Sequence, residues 1–270
     1  VLHVADLHFG RPFNPPVIAA VEQHLAVIRY DVVVVAGDLA QRSLSGEFQR
    51  AAVFLETARQ VSEVVVVPGN HDVAWWVSPL HLRGMTPMFA RYRRYVADEL
   101  EPVLATRGAL FAGLNTSHGV ALYSLTTRLR DISIVGATRP EQFVRLGETF
   151  AAATPGQARV VVMHHNPTWG ELSRRFGVVD TPRVLDRLSE AGTDLILCGH
   201  DHHEAVAQVE HAGRSMVICT AGTLSTRSRH GRPCSFHAIE IGAREIAVTT
   251  HFWTANGGSF SPGERQCFAR

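Results

Sequence analysis

Five short segments of this chain carry the residue types that hold and use cations. In chain order they are Asp6-Leu7-His8, Gly37-Asp38, Gly69-Asn70-His71-Asp72, Met163-His164-His165 and Gly199-His200-Asp201-His202-His203. Each ends an apolar run, and VVVVPGNHD (residues 64–72) is the sharpest: four valines, a Pro-Gly stop, then an amide, an imidazole and a carboxylate. Together the tips offer two carboxylates, Asp6 and Asp38, the Asn70 amide oxygen and several imidazoles, without a thiolate. Mixed nitrogen and oxygen donors suit first-row divalent ions such as Mn, Fe, Zn or Co. One buried histidine is usually structural. Five coincidences of ligand type with the tip of an apolar run point instead to convergence on one site.

Such convergence requires strands whose carboxyl ends meet. Residues 2–6 read as a short strand, and helical spacing over 16–29 puts Val17, Ile18, Val21, Leu25 and Ile28 on one face. VVVVAGD (32–38) is a strand buried on both faces. Residues 45–61 read as a helix, with Phe48, Ala52, Phe54 and Leu55 inward and Ser45 as its cap. VVVVPGN then closes a β-α-β-α-β unit, so these strands are parallel. Residues 74–105 break the rhythm as a small helical insert or cap, with an amphipathic helix over 88–105.

Further strands are predicted over 109–115, 121–125, 131–136, 159–165 and 195–200, with helices over 140–152 and 181–191. MVICTAG, SFHAIEI and IAVTTHFW read as three closely spaced antiparallel strands. The sum is one α/β domain over 1–270, a four-layer α/β/β/α sandwich of two mixed sheets flanked by helices. Trp253 and the final strands either cover a sheet or offer an edge for a homodimer.

Composition allows this. The 270 residues are 46% hydrophobic with a formal net charge of +1, which gives no general pull toward nucleic acid or membrane. All 26 basic residues are arginine, a codon-bias signature more than a functional one. Cys198, Cys219, Cys234 and Cys267 form no CxxC pair, so neither a disulfide framework nor a thiolate metal site is indicated. No apolar run approaches the length of a membrane span. The chain begins at Val1 without a visible leader, and a cytoplasmic enzyme is the expectation.

The ordered set DLH, GD, GNHD, MHH and GHDH resembles the calcineurin-like metallophosphoesterases, from Asp6 to the Thr223-Leu224-Ser225-Thr226 segment. The short-loop style of DLHFG, GDLAQRS, GHDHH and AGTLSTR is most similar to the bacterial cyclic-nucleotide-type phosphodiesterases of that family. The resemblance implies two divalent cations. One is held by Asp6, His8, Asp38 and His202, the other by Asp38, Asn70, His164 and His200. Asp38 then bridges them with its two oxygens, and the neutral Asn70 limits negative charge where a phosphate anion must enter. Ions about 3.5–4 Å apart would acidify a bridging water to hydroxide, which attacks phosphorus in line.

By the same resemblance, His71 contacts the phosphate or protonates the leaving oxygen. Asp72 orients it or caps the next segment, and His165 and His203 are outer partners of the ligands or pocket wall. Arg42 falls where family phosphoprotein phosphatases carry the Arg of GDxxDRG. Gln41 and Ser43 depart from that pattern, which speaks against a protein phosphatase and leaves Arg42 a candidate phosphate contact. Asn166, Thr223 and Arg227 are further candidate pocket residues, and Trp75 and Trp76 could stack on a base.

The expected activity is metal-dependent hydrolysis of a small phosphodiester, a 3′,5′-cyclic nucleotide first. The alternatives are a DNA exonuclease of the SbcD type, a phosphomonoesterase and a non-catalytic scaffold of the same fold. A nucleic-acid enzyme should show a basic stripe, which the near-neutral balance does not suggest. A scaffold sheds ligand residues, and here every position is filled.

Overall fold

Valines sort themselves by parity. The structure, a computed structural model, describes residues 1–11, 13–120, 133–170, 174–228 and 230–270. Strand β2 (Val32–Ala36) is buried on both faces. Its Val33 and Val35 join a core with helices α1 (Pro15–Val27) and α2 (Ser45–Arg59), whereas Val32, Val34 and Ala36 join a core between two sheets. Period-two alternation therefore builds two cores from one valine run.

The first sheet has the order β14-β13-β12-β1-β2-β3, with β1 (Leu2–Val4), β2 and β3 (Glu63–Val67) parallel. An antiparallel meander of β12 (Ser235–Ile241), β13 (Glu245–Thr254) and β14 (Ser259–Ala269) extends it from β1. Short strands β7 (Trp169–Gly170) and β8 (Arg175–Phe176) pair with each other, and the second sheet has the order β10-β11-β9-β6-β5-β4. Its parallel centre is β11 (Arg214–Thr220), β9 (Leu195–Gly199), β6 (Ala158–His165) and β5 (Ala109–Gly113). Antiparallel β10 (Ala205–His211) and β4 (Val103–Ala105) edge it. Helices α4 (Pro140–Ala151) and α5 (Thr181–Glu190) cover its outer face through Leu146, Phe150, Val184 and Leu188. The predicted α/β/β/α sandwich of two mixed sheets is the observed architecture. Among the described residues no helix is long and apolar enough to cross a membrane.

Several local expectations change. MVICTAG is not part of the terminal meander: it forms β11 of the other sheet, parallel to β9. Ser45 does not cap α2. Leu44 occupies the cap, and the Glu47 carboxylate accepts the N–H groups of Arg42 and Leu44 at 2.8 and 3.2 Å. Ala51 and Ala58, rather than Ala52, complete the buried face, and Ile28 lies beyond α1 and half exposed. The helix read over 88–105 shrinks to α3 (Ala90–Tyr95), which Val96 caps, and the residues after Pro102 join the sheet as β4. That stretch buries a small core of its own, Val73, Met88 and Phe89. Residues 121–125 lie outside the described residues. So does the start of 131–136, whose remainder is turn with Gly136 bridged to Val178.

His237 couples the sheets. From β12 its Nε2–H donates to the Thr220 carbonyl of β11 at 2.8 Å, and its Nδ1 accepts from the Thr250 hydroxyl at 3.0 Å. The ring is fully buried and burial lowers its pKa, as it does for the neighbouring His3. Above about pH 6.5 both chain states hold these rings neutral. Below it the unfolded chain takes up protons that the fold resists, so stability falls as the pH is lowered. His237→Gln should cost roughly 1–3 kcal/mol at pH 7.5 and flatten this decline. Urea midpoints at pH 7.5 and 5.5 for both proteins check this; parallel declines would refute it.

Candidate metal centre

The five tips meet where the carboxyl ends of the parallel strands of both sheets come together. Asp6 and His8 follow β1, Asp38 follows β2, Asn70 follows β3, His164 ends β6, and His200 and His202 follow β9. The first two tracks keep pairing past their strands: the N–H groups of Asp6, His8 and Phe9 donate to the carbonyls of Gly37, Asp38 and Leu39. Two bonds lock the second sheet onto the first. His164 Nδ1–H donates to the Ala36 carbonyl at 2.8 Å, and the His200 N–H donates to Asp6 Oδ2 at 2.9 Å.

Asp6, His8, Asp38 and His202 each present a donor atom, and the four atoms lie within 4.8 Å of one another. His8 Nε2 stands 3.7 Å from Asp6 Oδ1, 3.7 Å from Asp38 Oδ2 and 3.1 Å from His202 Nε2. A second group lies alongside. His164 Nε2 is 3.4 Å from Asp38 Oδ2 and 3.2 Å from Asn70 Oδ1, which is 3.1 Å from His200 Nδ1. His165 shares this neighbourhood, with its ring 4.5 Å from that of His200 and its Nδ1 2.8 Å from the Thr116 hydroxyl.

Asp38 faces both groups through one atom. Oδ2 looks toward His8 and His164, while Oδ1 accepts the His71 N–H at 2.8 Å. One carboxylate oxygen is thus common to both groups, in place of the expected division of one oxygen to each.

Backbone carbonyls set the imidazole tautomers. His164, His202 and His71 spend Nδ1–H on the carbonyls of Ala36, Arg227 and Gln41, at 2.8, 3.0 and 2.8 Å. That leaves Nε2 as the nitrogen each turns toward the centre. Burial raises both carboxyls, but the facing rings hold them below the ordinary range, His202 acting most on Asp6 and His164 most on Asp38. Burial pushes His8 down to about 3 against the pull of both carboxylates. His164 goes the other way, to about 9, because Asp38 outweighs its burial.

The residues fit a pair of divalent cations. Asp6 Oδ1 and the Nε2 atoms of His8 and His202 crowd together, with His202 Nε2 3.1 Å from each of the other two. Lone pairs converging in this way repel unless a positive charge lies among them. The backbone is bent to achieve it: Asp6, His8, Asp38, His200 and His202 all have φ between 47° and 73°. Left-handed residues at alternate positions let Asp6 with His8, and His200 with His202, reach the same centre. The preceding glycines leave room, since a Cβ on Gly69 would overlap the Asp38 carboxylate and one on Gly199 would stand 2.7 Å from Asp6 Oδ2.

The remaining candidates separate. His71 is half-buried beside the centre, edge-on to His8 with centroids 4.9 Å apart, and its Nε2 accepts from Arg227 Nη1 at 3.1 Å. Asp72 does not touch the His71 ring. Its carboxylate accepts the N–H groups of Leu39, Ala40 and Gly69, pinning the Asp38 loop to its own turn, and burial next to Asp38 raises its pKa to about 7. Thr223 lies under the centre, where its buried hydroxyl donates to the Asp6 carbonyl at 2.7 Å. Arg42 is exposed, with its backbone N–H bound by Glu47. Asn166 is buried and donates to the Thr168 carbonyl, and Trp75 packs against Trp76. Sequence reasoning gave no role to Gln41, Ser225 or Thr116; Gln41 was visible only as a departure from a motif and Ser225 only as part of the AGTLSTR segment, and Thr116 carried no signal.

The profile of the calcineurin-like phosphoesterase family matches residues 1–204. No curated protein matches the chain. Among solved structures, a purple acid phosphatase from yellow lupin seeds aligns over all of this chain with a TM-score of 0.68 at 11% identity. This chain spans 53% of that phosphatase. GAP50 of Plasmodium, an anchor in the inner membrane complex, aligns with a TM-score of 0.60 at 14% identity, over 99% of this chain and 87% of its own. A Vps29 double mutant from Entamoeba histolytica aligns with a TM-score of 0.51 at 15% identity, over 99% and 98%. At these identities the likeness is one of fold. With the profile spanning three quarters of its length, the chain belongs to the calcineurin-like phosphoesterases.

Proposed function

We propose that this chain is a two-cation phosphodiesterase acting on a small diester, a 3′,5′-cyclic nucleotide being the first candidate. The observation that carries this reading is the pair of donor groups joined through Asp38 Oδ2. Asp6, His8, Asp38 and His202 would hold one cation, and Asp38, Asn70, His164 and His200 the other. Such a pair supplies an activated water at neutral pH and neutralises the phosphoryl oxygens.

The chain's own residues supply the rest. The carbonyls of Ala36, Arg227 and Gln41 hold three imidazoles in the tautomer that presents Nε2, so no rearrangement is needed at the moment of reaction. His71 Nε2 is the atom placed to manage the proton on the leaving oxygen. The arginine of the GDLAQRS loop is turned to solvent, and Gln41 and Ser43 depart from the phosphoprotein phosphatase pattern, which speaks against a protein phosphatase. In that loop Ser43 instead donates its hydroxyl to the His71 carbonyl at 2.9 Å, which fixes the loop for His71.

Bis-p-nitrophenyl phosphate should be cleaved faster than p-nitrophenyl phosphate with added Mn²⁺, and chelator should abolish the reaction. A preference for the monoester would overturn the diester reading. Asp38→Asn should lose both bound cations, read by elemental analysis, together with turnover; a variant retaining metal and activity would refute the shared-carboxylate centre. His71→Ala should keep its metal and lose about 10²–10⁴-fold in kcat.

A further inference from the structure

Residues 223–227 are held more firmly than a polar surface loop requires. Thr223 and Ser225 are 1% and 0% exposed. Beyond the bond from Thr223 to the Asp6 carbonyl, the Thr223 and Ser225 hydroxyls share a hydrogen bond of 2.8 Å, and the Ser225 N–H donates to Thr223 Oγ1 at 3.1 Å. Ser225 Oγ then accepts the Arg227 N–H at 3.2 Å. Alternate residues thus lean on one another in a file that begins at one donor of the centre, Asp6. It ends at Arg227, whose carbonyl accepts from another donor, His202.

The Arg227 side chain is exposed where that file ends. Its Nη1 donates to His71 Nε2 at 3.1 Å and to Gln41 Oε1 at 3.2 Å. Among the described residues no carboxylate pairs with it. A guanidinium is a planar fork that matches two oxygens of an anion, so an anion offers it a second parallel bond and an opposite charge that neutral acceptors do not. An imidazole nitrogen and an amide oxygen are therefore partners it would exchange for phosphate. The file beneath it removes the backbone freedom that an arginine on a loose loop would lose on binding.

The geometry points to Arg227 as the residue that grips the phosphoryl group of the substrate. In the free chain the guanidinium rests on His71 and Gln41, and an arriving phosphoryl oxygen replaces them. This rests on the phosphoesterase reading of the same centre and adds its anion-binding arm, which is Arg227 and not Arg42. Arrival of the anion also uncovers His71 Nε2, so recognition and exposure of the proton-handling atom are one event.

The test compares wild type, Arg227→Ala and Arg227→Lys, each loaded with Mn²⁺. Inorganic phosphate binding is measured by calorimetry, metal content by elemental analysis, and diester kinetics with and without added guanidinium chloride at millimolar concentration. Arg227→Ala should retain its metal and bind phosphate at least about tenfold more weakly. Its KM should rise, Arg227→Lys should recover part of the loss, and guanidinium should rescue the alanine variant. Unchanged phosphate affinity in Arg227→Ala overturns the assignment, as does loss of metal, which would reduce Arg227 to a support for His202. A wild type that binds no phosphate overturns it too. If the wild type binds phosphate yet cleaves no ester, the phosphoesterase reading fails, and the affinity of Arg227→Ala still decides the role of this side chain.

Discussion

Asp6 and Asp38 put two carboxylates out of reach of water, aimed into one volume together with the nitrogens of four imidazoles. Two buried carboxylates so close need positive charge beside them, from the facing imidazoles or from a cation, because burial removes the solvent that would screen them. Most of what is unusual in this fold answers that constraint. Bonds from backbone carbonyls keep three rings from turning away, and the Asp6 carboxylate itself holds the His200 backbone. The second sheet is fastened to the first at this cluster, and again by His237. The centre and the sandwich are therefore parts of one arrangement: neither sheet alone carries a complete donor set.

Much of this was legible in the chain. Runs such as VVVV and LILC announce strands buried on both faces, and a ligand type at each tip announces a shared centre, because parallel strands deliver their ends to one side. The layers followed from the alternation of apolar runs with helical spacing. What stayed hidden was set by contacts between distant segments. The use of Asp38 Oδ2 for both groups depends on His71 N–H occupying Oδ1, a bond across 33 positions. Asp72 read as a local residue, yet its acceptors serve the Asp38 loop as much as its own turn.

The terminal region shows why composition misleads at edges. Residues 259–269 contain Pro262 and Gly263, which argue against a strand in a sheet interior. Here they lie on β14, the outermost strand, where a missing N–H costs no ladder bond, and the pairing with β13 is irregular between Thr249 and His251. Similarly, 88–105 has helical spacing, but Met88 and Phe89 are drawn into a separate small core and 103–105 into a sheet. Tertiary demand overrode local preference in both places.

Five of the donor residues sit in a backbone conformation that L-amino acids adopt only at a cost, roughly 1 kcal/mol or more apiece. Glycine would relieve that strain at every one of them, but at Asp6 and Asp38 it would also strip the carboxylate that accepts the backbone N–H of His200 and of His71. The two aspartates are thus tied to the fold as well as to the centre. A population of such chains selected only for survival of heat in the presence of a chelator would drift toward glycine at His8 and His200 before it touched either carboxylate.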